Sequence, residues 1–280
     1  MAVWKKISEM KIWKNTPTLD AYVPVLTMAN ATPKDAELAV VGAKKFDVRA
    51  MPNLQAVFKC GVGTDNIDFA ACTEQGVSVV LPSERTANII YEETANFTVF
   101  LILERLYDGA GHIESWSKNP RPFLENRVVL LIGQGNIGRR VKSKLQALLT
   151  VSSFDTATDN INHLESLVHT ADVVSLHIPL LESTRSWFDA EKLGWMKKGA
   201  ALVNTARGPI VDEDALYREL SARRLTAAFD VFWEEPYRRK LATLPPHIFH
   251  MTPHVASTCE DFLKSLGQDL QTLIDRMKHD

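Results

Sequence analysis

Apolar residues in this 280-residue chain fall in short unbroken runs, parted by stretches of helical spacing. The clearest run is Val128–Ile132, which leads straight into Gly133-Gln134-Gly135-Asn136-Ile137-Gly138. Five apolar residues closed by glycine predict a strand buried on both faces of a parallel sheet. From residue 126 onward such runs alternate with helical patterns. The pattern predicts a helix at 139–149, a strand at 151–154, a helix at 161–169 and a strand at 172–178. It continues with a helix at 190–196, a strand at 200–204, a helix at 212–224, strands at 227–231 and 250–252, and a last helix from Glu260 to the end. Alternation of this kind predicts a doubly wound parallel sheet.

The first part of the chain is less regular. Strands are predicted at 10–13, 37–42, 55–60 and 77–81, with a further short one at 22–26 inside a Thr, Pro and Asn-rich stretch. Residues 68–75 read as a helix stopped by Gly76. These elements make a small α/β unit. A long helix at 88–106, with Glu92 and Glu93 in its first turns where acids suit a helix N-terminus, would join the two parts. Residues 108–125 read as a loop or surface arm.

Length allows two domains. Composition adds exclusions. Lys and Arg number 32 against 34 for Asp and Glu, a balance with no general pull toward nucleic acid or anionic lipid. The apolar runs are too short to span a bilayer, and no apolar core follows Lys5 and Lys6, so no secretory signal is expected. Cys60, Cys72 and Cys259 lack metal spacing and read as buried or incidental thiols of a reducing cytoplasm.

Ligands of doubly wound sheets sit beyond the carboxyl ends of the strands. The glycine turn is the first such place. Gly133 would make the tight turn, Gly135 would let backbone approach a pyrophosphate, and Gly138 would let helix pack close on strand. Asp155 ends the next strand 17 residues past Gly138, near the roughly 20 expected of an acid that binds an adenosine ribose. A carboxylate there favours NAD over NADP, whose 2′-phosphate it would repel. A ligand-free turn, and a capping role for Asp155, are the structural alternatives. Arg207, in Thr205-Ala206-Arg207-Gly208-Pro209, suits a substrate carboxylate, or else a surface ion pair. Asp230, Glu235 and His254 follow later strands, and a His near a carboxylate is the common acid/base pair.

Four motifs in order carry a family resemblance: GQGNIG, NTARGPIVDEDAL, FDVFWEEP and TPHVAST. With GVGTDNIDFAACTEQGVSVV before them, the chain resembles the D-isomer-specific 2-hydroxyacid dehydrogenases over residues 37–258. The resemblance implies an NAD-dependent enzyme that interconverts a D-2-hydroxy acid and its 2-oxo acid. It implies two Rossmann-like domains: an NAD-binding doubly wound sheet at 88–258, and a smaller flavodoxin-like substrate domain at 1–87 to which residues 259–280 return. The chemistry would lie in the cleft between them, with hinges near Asn88 and near residues 254–259.

Residue by residue, the resemblance makes Arg207 the holder of the carboxylate and C2 oxygen. His254 becomes the acid/base, and Glu235 its partner, favouring imidazolium at the start of reduction. The amides of Val62 and Gly63 would take the other carboxylate oxygen. Gly133, Gly135, Asn136, Ile137, Gly138 and Asp155 would bind NAD, with Thr205 and Ala206 lining it. Asp230 would meet its carboxamide, and Pro179 and Thr184 would lie near its adenine half. A homodimer in the cytoplasm is also implied, with no nucleic acid, membrane or metal partner. The match departs from the pattern in three places. Only residues 43–54 separate two early strands, the arm is short, and Lys59 stands where relatives with larger anionic substrates often carry Arg. Lys59 would meet a second anionic group or be a solvated strand-end lysine. Trp233 and Arg85 could shape the pocket. A regulatory, corepressor-like NAD(H)-binding protein of the same fold is the alternative. Formate dehydrogenases of this group place Gln where Glu235 stands, so the Glu speaks against formate.

Overall fold

The computed structural model describes residues 10–112 and 114–279; the reading at Lys5 and Lys6 lies outside them. The chain divides into two compact units, Met1–Ile90 with Thr258–Asp280, and Tyr91–Ser257.

In the first unit, β1 (Ile12–Lys14), β2 (Leu38–Val41), β3 (Ala56–Lys59) and β4 (Ser78–Val80) form a parallel sheet in sequence order. Successive side chains of a strand point to opposite faces. Leu38, Val40, Ala56 and Phe58 therefore join one core, while Ala39, Val41 and Val57 join another. Helix α1 (Phe69–Glu74) is capped by Asp68, whose Oδ1 accepts from the Ala71 amide at 2.9 Å. The strand expected at 22–26 is instead a 3-10 turn, Pro24–Met28. Proline at the first helical position has its φ preset for a helical turn and no N–H to give a ladder.

Helix α2 (Glu84–Tyr107) begins four residues before its expected start and runs across the division at residue 90. Ser83 explains the early start. Its hydroxyl accepts from the Thr86 amide at 3.3 Å, a cap that the apolar pattern does not report. The arm that follows is not all loop. It contains an antiparallel pair, β5 (Gly111–His112) and β6 (Ser117–Lys118).

The second unit then alternates β7 (Val128–Ile132), α3 (Asn136–Leu145), β8 (Thr150–Phe154), α4 (Leu164–Thr170), β9 (Val173–Leu176) and α5 (Ala190–Trp195). It continues with β10 (Ala201–Asn204), α6 (Glu213–Ser221), β11 (Thr226–Phe229) and β12 (Phe249–Met251). The six strands are parallel, in the order β12-β11-β10-β9-β7-β8. Strand order reverses at β7, which lies between its two sequence successors. That is the switch point at which such sheets open a crevice for ligands. Both faces are covered. Leu130, Ile132, Val174, Leu176, Leu202 and Phe229 enter one core, and Val129, Leu131, Val173, Val203 and Ala228 the other.

Helix bounds differ from expectation in several places; the helix expected at 212–224, for one, is Glu213–Ser221. Helix α3 starts at Asn136, inside the glycine motif, and ends at Leu145, because residues 146–149 turn back to feed β8. The helix expected at 161–169 opens as a 3-10 turn, Ile161–His163, with Asn160 accepting from the Asn162 amide at 3.0 Å.

Helix α7 (Glu260–His279) returns to the first unit, where Phe262, Leu266, Leu270, Leu273 and Ile274 pack with Leu38, Val40 and Phe58. A polar knot fixes it. Thr86 is fully buried, with its hydroxyl 2.6 Å from Asp269 Oδ2 and 2.7 Å from Ser265 Oγ. The Ser83 amide reaches the same Asp269 oxygen at 2.9 Å. Thr86→Val keeps the shape but strips the carboxylate of this partner. We expect it to lower stability by about 1–3 kcal/mol in urea unfolding.

Candidate active site

The glycine turn is built by close contacts. Gly133 adopts φ +102°, and a Cβ on Gly138 would lie 2.0 Å from the Gly133 carbonyl oxygen, so no other residue fits there. Gly135 is the N-cap of α3. No side chain caps the helix, and no atom lies within 4 Å of where a Gly135 Cβ would project. The first-turn N–H groups, on Gly135, Asn136 and Ile137, are thus left to an anion, with the positive end of the helix dipole behind them. The Asp155 carboxylate is pinned beside this turn. Its Oδ2 accepts from the Gln134 amide and its Oδ1 from the Ala157 amide, each at 3.0 Å. Each oxygen retains a lone pair for a further donor such as a ribose hydroxyl. Under the turn, burial pushes the His177 imidazole down to about 4, so the ring is neutral at pH 7. Beyond β9, Pro179 is exposed. The buried Thr184 hydroxyl donates to the Pro179 carbonyl at 2.7 Å and accepts from the Leu181 amide at 2.7 Å, which shapes that loop. These features fit a dinucleotide: an uncapped helix end, a turn closed to a Cβ at Gly133 and Gly138 but open at Gly135, and an oriented carboxylate.

The loops after β10, β11 and β12 bring the other candidates together. Asn204 is fully buried at the end of β10. Its Nδ2 donates to the Arg207 carbonyl and its Oδ1 accepts from the Ala206 amide, both at 2.9 Å. One side chain therefore braces Thr205, Ala206 and Arg207. A Cβ on Gly208 would fall 2.2 Å from the Phe232 carbonyl carbon, so glycine there lets the Arg207 loop meet the loop after β11. The Thr205 hydroxyl lies 2.8 Å from that of Thr98 on α2.

After β11, Asp230 is wholly buried and accepts three hydrogen bonds: Thr252 Oγ1 at 2.6 Å, and the Val255 and Ala256 amides at 2.9 Å. Burial pushes its carboxyl up, against the pull of these donors and of His254. His254 itself sits in the left-handed region at φ +55°. Its Nδ1 is 2.8 Å from Glu235 Oε2, while Glu235 Oε1 accepts from the Phe232 amide at 3.2 Å. Burial would raise the Glu235 carboxyl. The hydrogen bond and charge of His254, the Phe232 amide and the charge of Arg207 outweigh it and hold Glu235 below the usual carboxylate range. An ionised Glu235 can only accept, so Nδ1 carries the proton and Nε2 is the atom left to exchange one.

Arg207, Glu235, His254, Asp230, Thr205 and Ala206 thus share the carboxyl ends of three neighbouring strands. Trp233 is a packing residue, stacked on Phe229 at 5.9 Å with its N–H on the Val211 carbonyl at 2.9 Å. In the first unit, Val62 and Gly63 are half-buried in the loop after β3. Lys59 is not a solvated lysine. It is buried, and its ammonium donates to the Gly42 carbonyl. Asn66 braces the same region, giving Nδ2 to the carbonyls of Gly42 at 2.9 Å and Lys44 at 2.8 Å. Sequence reasoning missed Asn66, Thr98, Asn204 and Thr252. Only Asn204 left a signal, as a polar residue ending an apolar strand.

Two family models match the chain. They are "D-isomer specific 2-hydroxyacid dehydrogenase, NAD binding domain" over residues 106–256 and the same family's catalytic domain over residues 40–98. Hydroxypyruvate reductase of Thermotoga maritima is 31% identical, over 89% of this chain and 82% of that protein. (S)-sulfolactate dehydrogenase of Chromohalobacter salexigens is 33% identical, over 86% and 80%. The crystal structure of D-lactate dehydrogenase from Aquifex aeolicus, complexed with NAD and lactic acid, superposes with a TM-score of 0.79 at 24% identity, covering 95% of this chain and 94% of that one. The chain belongs to the D-isomer-specific 2-hydroxyacid dehydrogenases, NAD-dependent enzymes of the Rossmann fold.

A lowered carboxyl stabilises the fold above its unfolded value of 4.5, and that contribution is lost as pH falls through the lowered value. Glu235→Gln should therefore reduce stability at pH 7, with the gap from wild type closing as the pH drops below 4.5. Urea unfolding across pH checks this.

Proposed function

We propose that the protein reduces a small 2-oxo acid to its D-2-hydroxy acid with NADH, and runs the reverse reaction with NAD. The observation that carries this is the Glu235–His254 contact at 2.8 Å, with the charge of Arg207 acting on the same carboxylate. Bound NADH supplies the hydride to C2 of the substrate. The protein supplies orientation, charge and the proton. Arg207 holds the substrate carboxylate and draws on the C2 oxygen. His254 gives the proton on Nε2 to that oxygen, and Glu235, through Nδ1–H, steadies the imidazolium before transfer. In oxidation the neutral ring takes the proton back. Asp230 serves twice. It anchors the turn that carries His254 and keeps a lone pair on Oδ2 for the carboxamide. Gly133, Gly135, Asn136, Ile137 and Gly138 cradle the diphosphate, and Asp155 takes the adenosine ribose. Thr205 and Ala206 line the nicotinamide half, and Pro179 and Thr184 flank the adenine half. Lys59, Val62 and Gly63 are the candidates for the substrate's anionic groups; an anion at Lys59 competes with the Gly42 carbonyl for the ammonium.

The test is NADH oxidation against a panel of 2-oxo acids, including glyoxylate, hydroxypyruvate and phosphorylated and sulfonated acids. Turnover on one class is expected, and His254→Ala should lower kcat/KM about 10²–10⁴-fold. Tight NADH binding without turnover on any acid would instead favour the regulatory alternative.

We further propose a homodimer acting in the cytoplasm, a compartment that suits the free thiols of Cys60, Cys72 and Cys259. No helix among the described residues is long and apolar enough to cross a membrane. Phe100 on α2 and Trp116 and Phe123 on the arm are 51%, 82% and 63% exposed, large apolar side chains of the kind that subunit interfaces cover. Phe100→Asp should shift the protein toward monomer in sedimentation velocity.

A further inference from the structure

We propose that Thr98 sets the hydroxyl of Thr205 as a hydrogen-bond acceptor toward bound NAD, and so selects a donor group on the cofactor's nicotinamide half. The proposal rests on the assignment of Thr205 to the cofactor site, and its own content follows from counting protons. A threonine hydroxyl has one proton to give and two lone pairs. The Thr98 oxygen lies 2.7 Å from the Thr94 carbonyl, one helical turn earlier on α2. A carbonyl cannot donate, so the single Thr98 proton is committed there. The same Thr98 oxygen lies 2.8 Å from that of Thr205. Were Thr205 to point its own proton elsewhere, two lone pairs would face each other in a buried contact, since Thr98 is fully buried and Thr205 is 6% exposed. Thr205 therefore donates to Thr98, and only its lone pairs remain to meet a ligand.

The nicotinamide half of the dinucleotide offers two kinds of donor, the carboxamide N–H and the ribose hydroxyls. Either satisfies an acceptor, whereas the carboxamide oxygen does not. The chain Thr205 to Thr98 to Thr94 thus gives this wall of the site a fixed polarity without any charged group. Thr98 acts through Thr205 and is a positioning residue. The Asn204 side chain braces the backbone that follows Thr205, so the hydroxyl is held on a built loop.

The test measures NADH binding directly, by quenching of tryptophan fluorescence, in Thr98→Val, Thr98→Ser and Thr205→Val. Thr98→Val fills the same space but removes the acceptor, which frees the Thr205 proton to turn toward the cofactor. Its Kd for NADH should rise about tenfold, the loss of one hydrogen bond. Thr98→Ser retains the hydroxyl and should restore binding, and Thr205→Val should bind weakly. The 3-acetylpyridine analogue of NAD, which lacks the carboxamide N–H, tells the two donors apart. If the Thr98→Val penalty vanishes with it, the carboxamide is the donor; if the penalty persists, a ribose hydroxyl is. Two results would overturn the proposal while sparing the cofactor assignment. One is normal NADH binding in Thr98→Val alongside weak binding in Thr205→Val. The other is equal loss of affinity and of Tm in Thr98→Val and Thr98→Ser, which is the mark of packing alone. Normal binding in Thr205→Val would overturn the assignment of Thr205 itself.

Discussion

A carboxylate with no access to solvent holds the turn on which the proposed chemistry depends. Asp230 ends the run of β11 and takes the Thr252 hydroxyl and the amides of Val255 and Ala256. Those bonds tie residues 252–256 to the neighbouring strand and leave His254 at φ +55°. A non-glycine residue in that region costs about 1–2 kcal/mol, which the three hydrogen bonds to Asp230 can offset. The His254 ring then meets Glu235 on the adjacent loop. This anchoring role explains why a polar acceptor stands where an apolar residue would pack more cheaply.

The six parallel strands supply the rest of the arrangement. Because the six strands of this sheet point the same way, the loops that follow them leave from the same edge of the sheet. The glycine turn, Asp155, Pro179, the Arg207 loop, the Asp230 and Glu235 loop and His254 are all strand-following segments. Buried side chains then refine the loops. Asn204 closes the Thr205–Arg207 segment on itself, and the missing Cβ of Gly208 admits the Phe232 backbone. Such contacts place a guanidinium, a carboxylate and an imidazole on three different loops near one another. The charge of Arg207 is felt at Glu235, which helps keep that carboxyl ionised beside the ring.

Membership of the D-2-hydroxyacid dehydrogenases gives this geometry its chemical meaning, since the family joins an NAD-binding domain to small acid substrates. The relatives differ in substrate. One similar protein is named for hydroxypyruvate and another for sulfolactate, at comparable identity. Lys59, a cation at a strand end near the glycine-valine loop, has its ammonium engaged by the Gly42 carbonyl.

The sequence by itself determined the alternation of strands and helices, the glycine turn and the motifs that mark the family. These are local: an apolar run of five residues, a glycine spacing and a proline beside a histidine are each legible within a few positions. Helix starts were less legible, since Ser83 caps α2 through a side chain that hydropathy ignores. Pro24 turned an apolar stretch at 22–26 into a 3-10 turn for a reason the apolar pattern does not carry. Only the tertiary structure decided that β7 lies between β8 and β9, and that Thr98 meets Thr205 across more than a hundred residues. It alone revealed that Asp230 is an anchor as well as a cofactor candidate, and that Lys59 is buried. Strand order and hydrogen-bond partners follow from which surfaces pack together. That is a property of the whole folded chain, and no spacing within one segment encodes it.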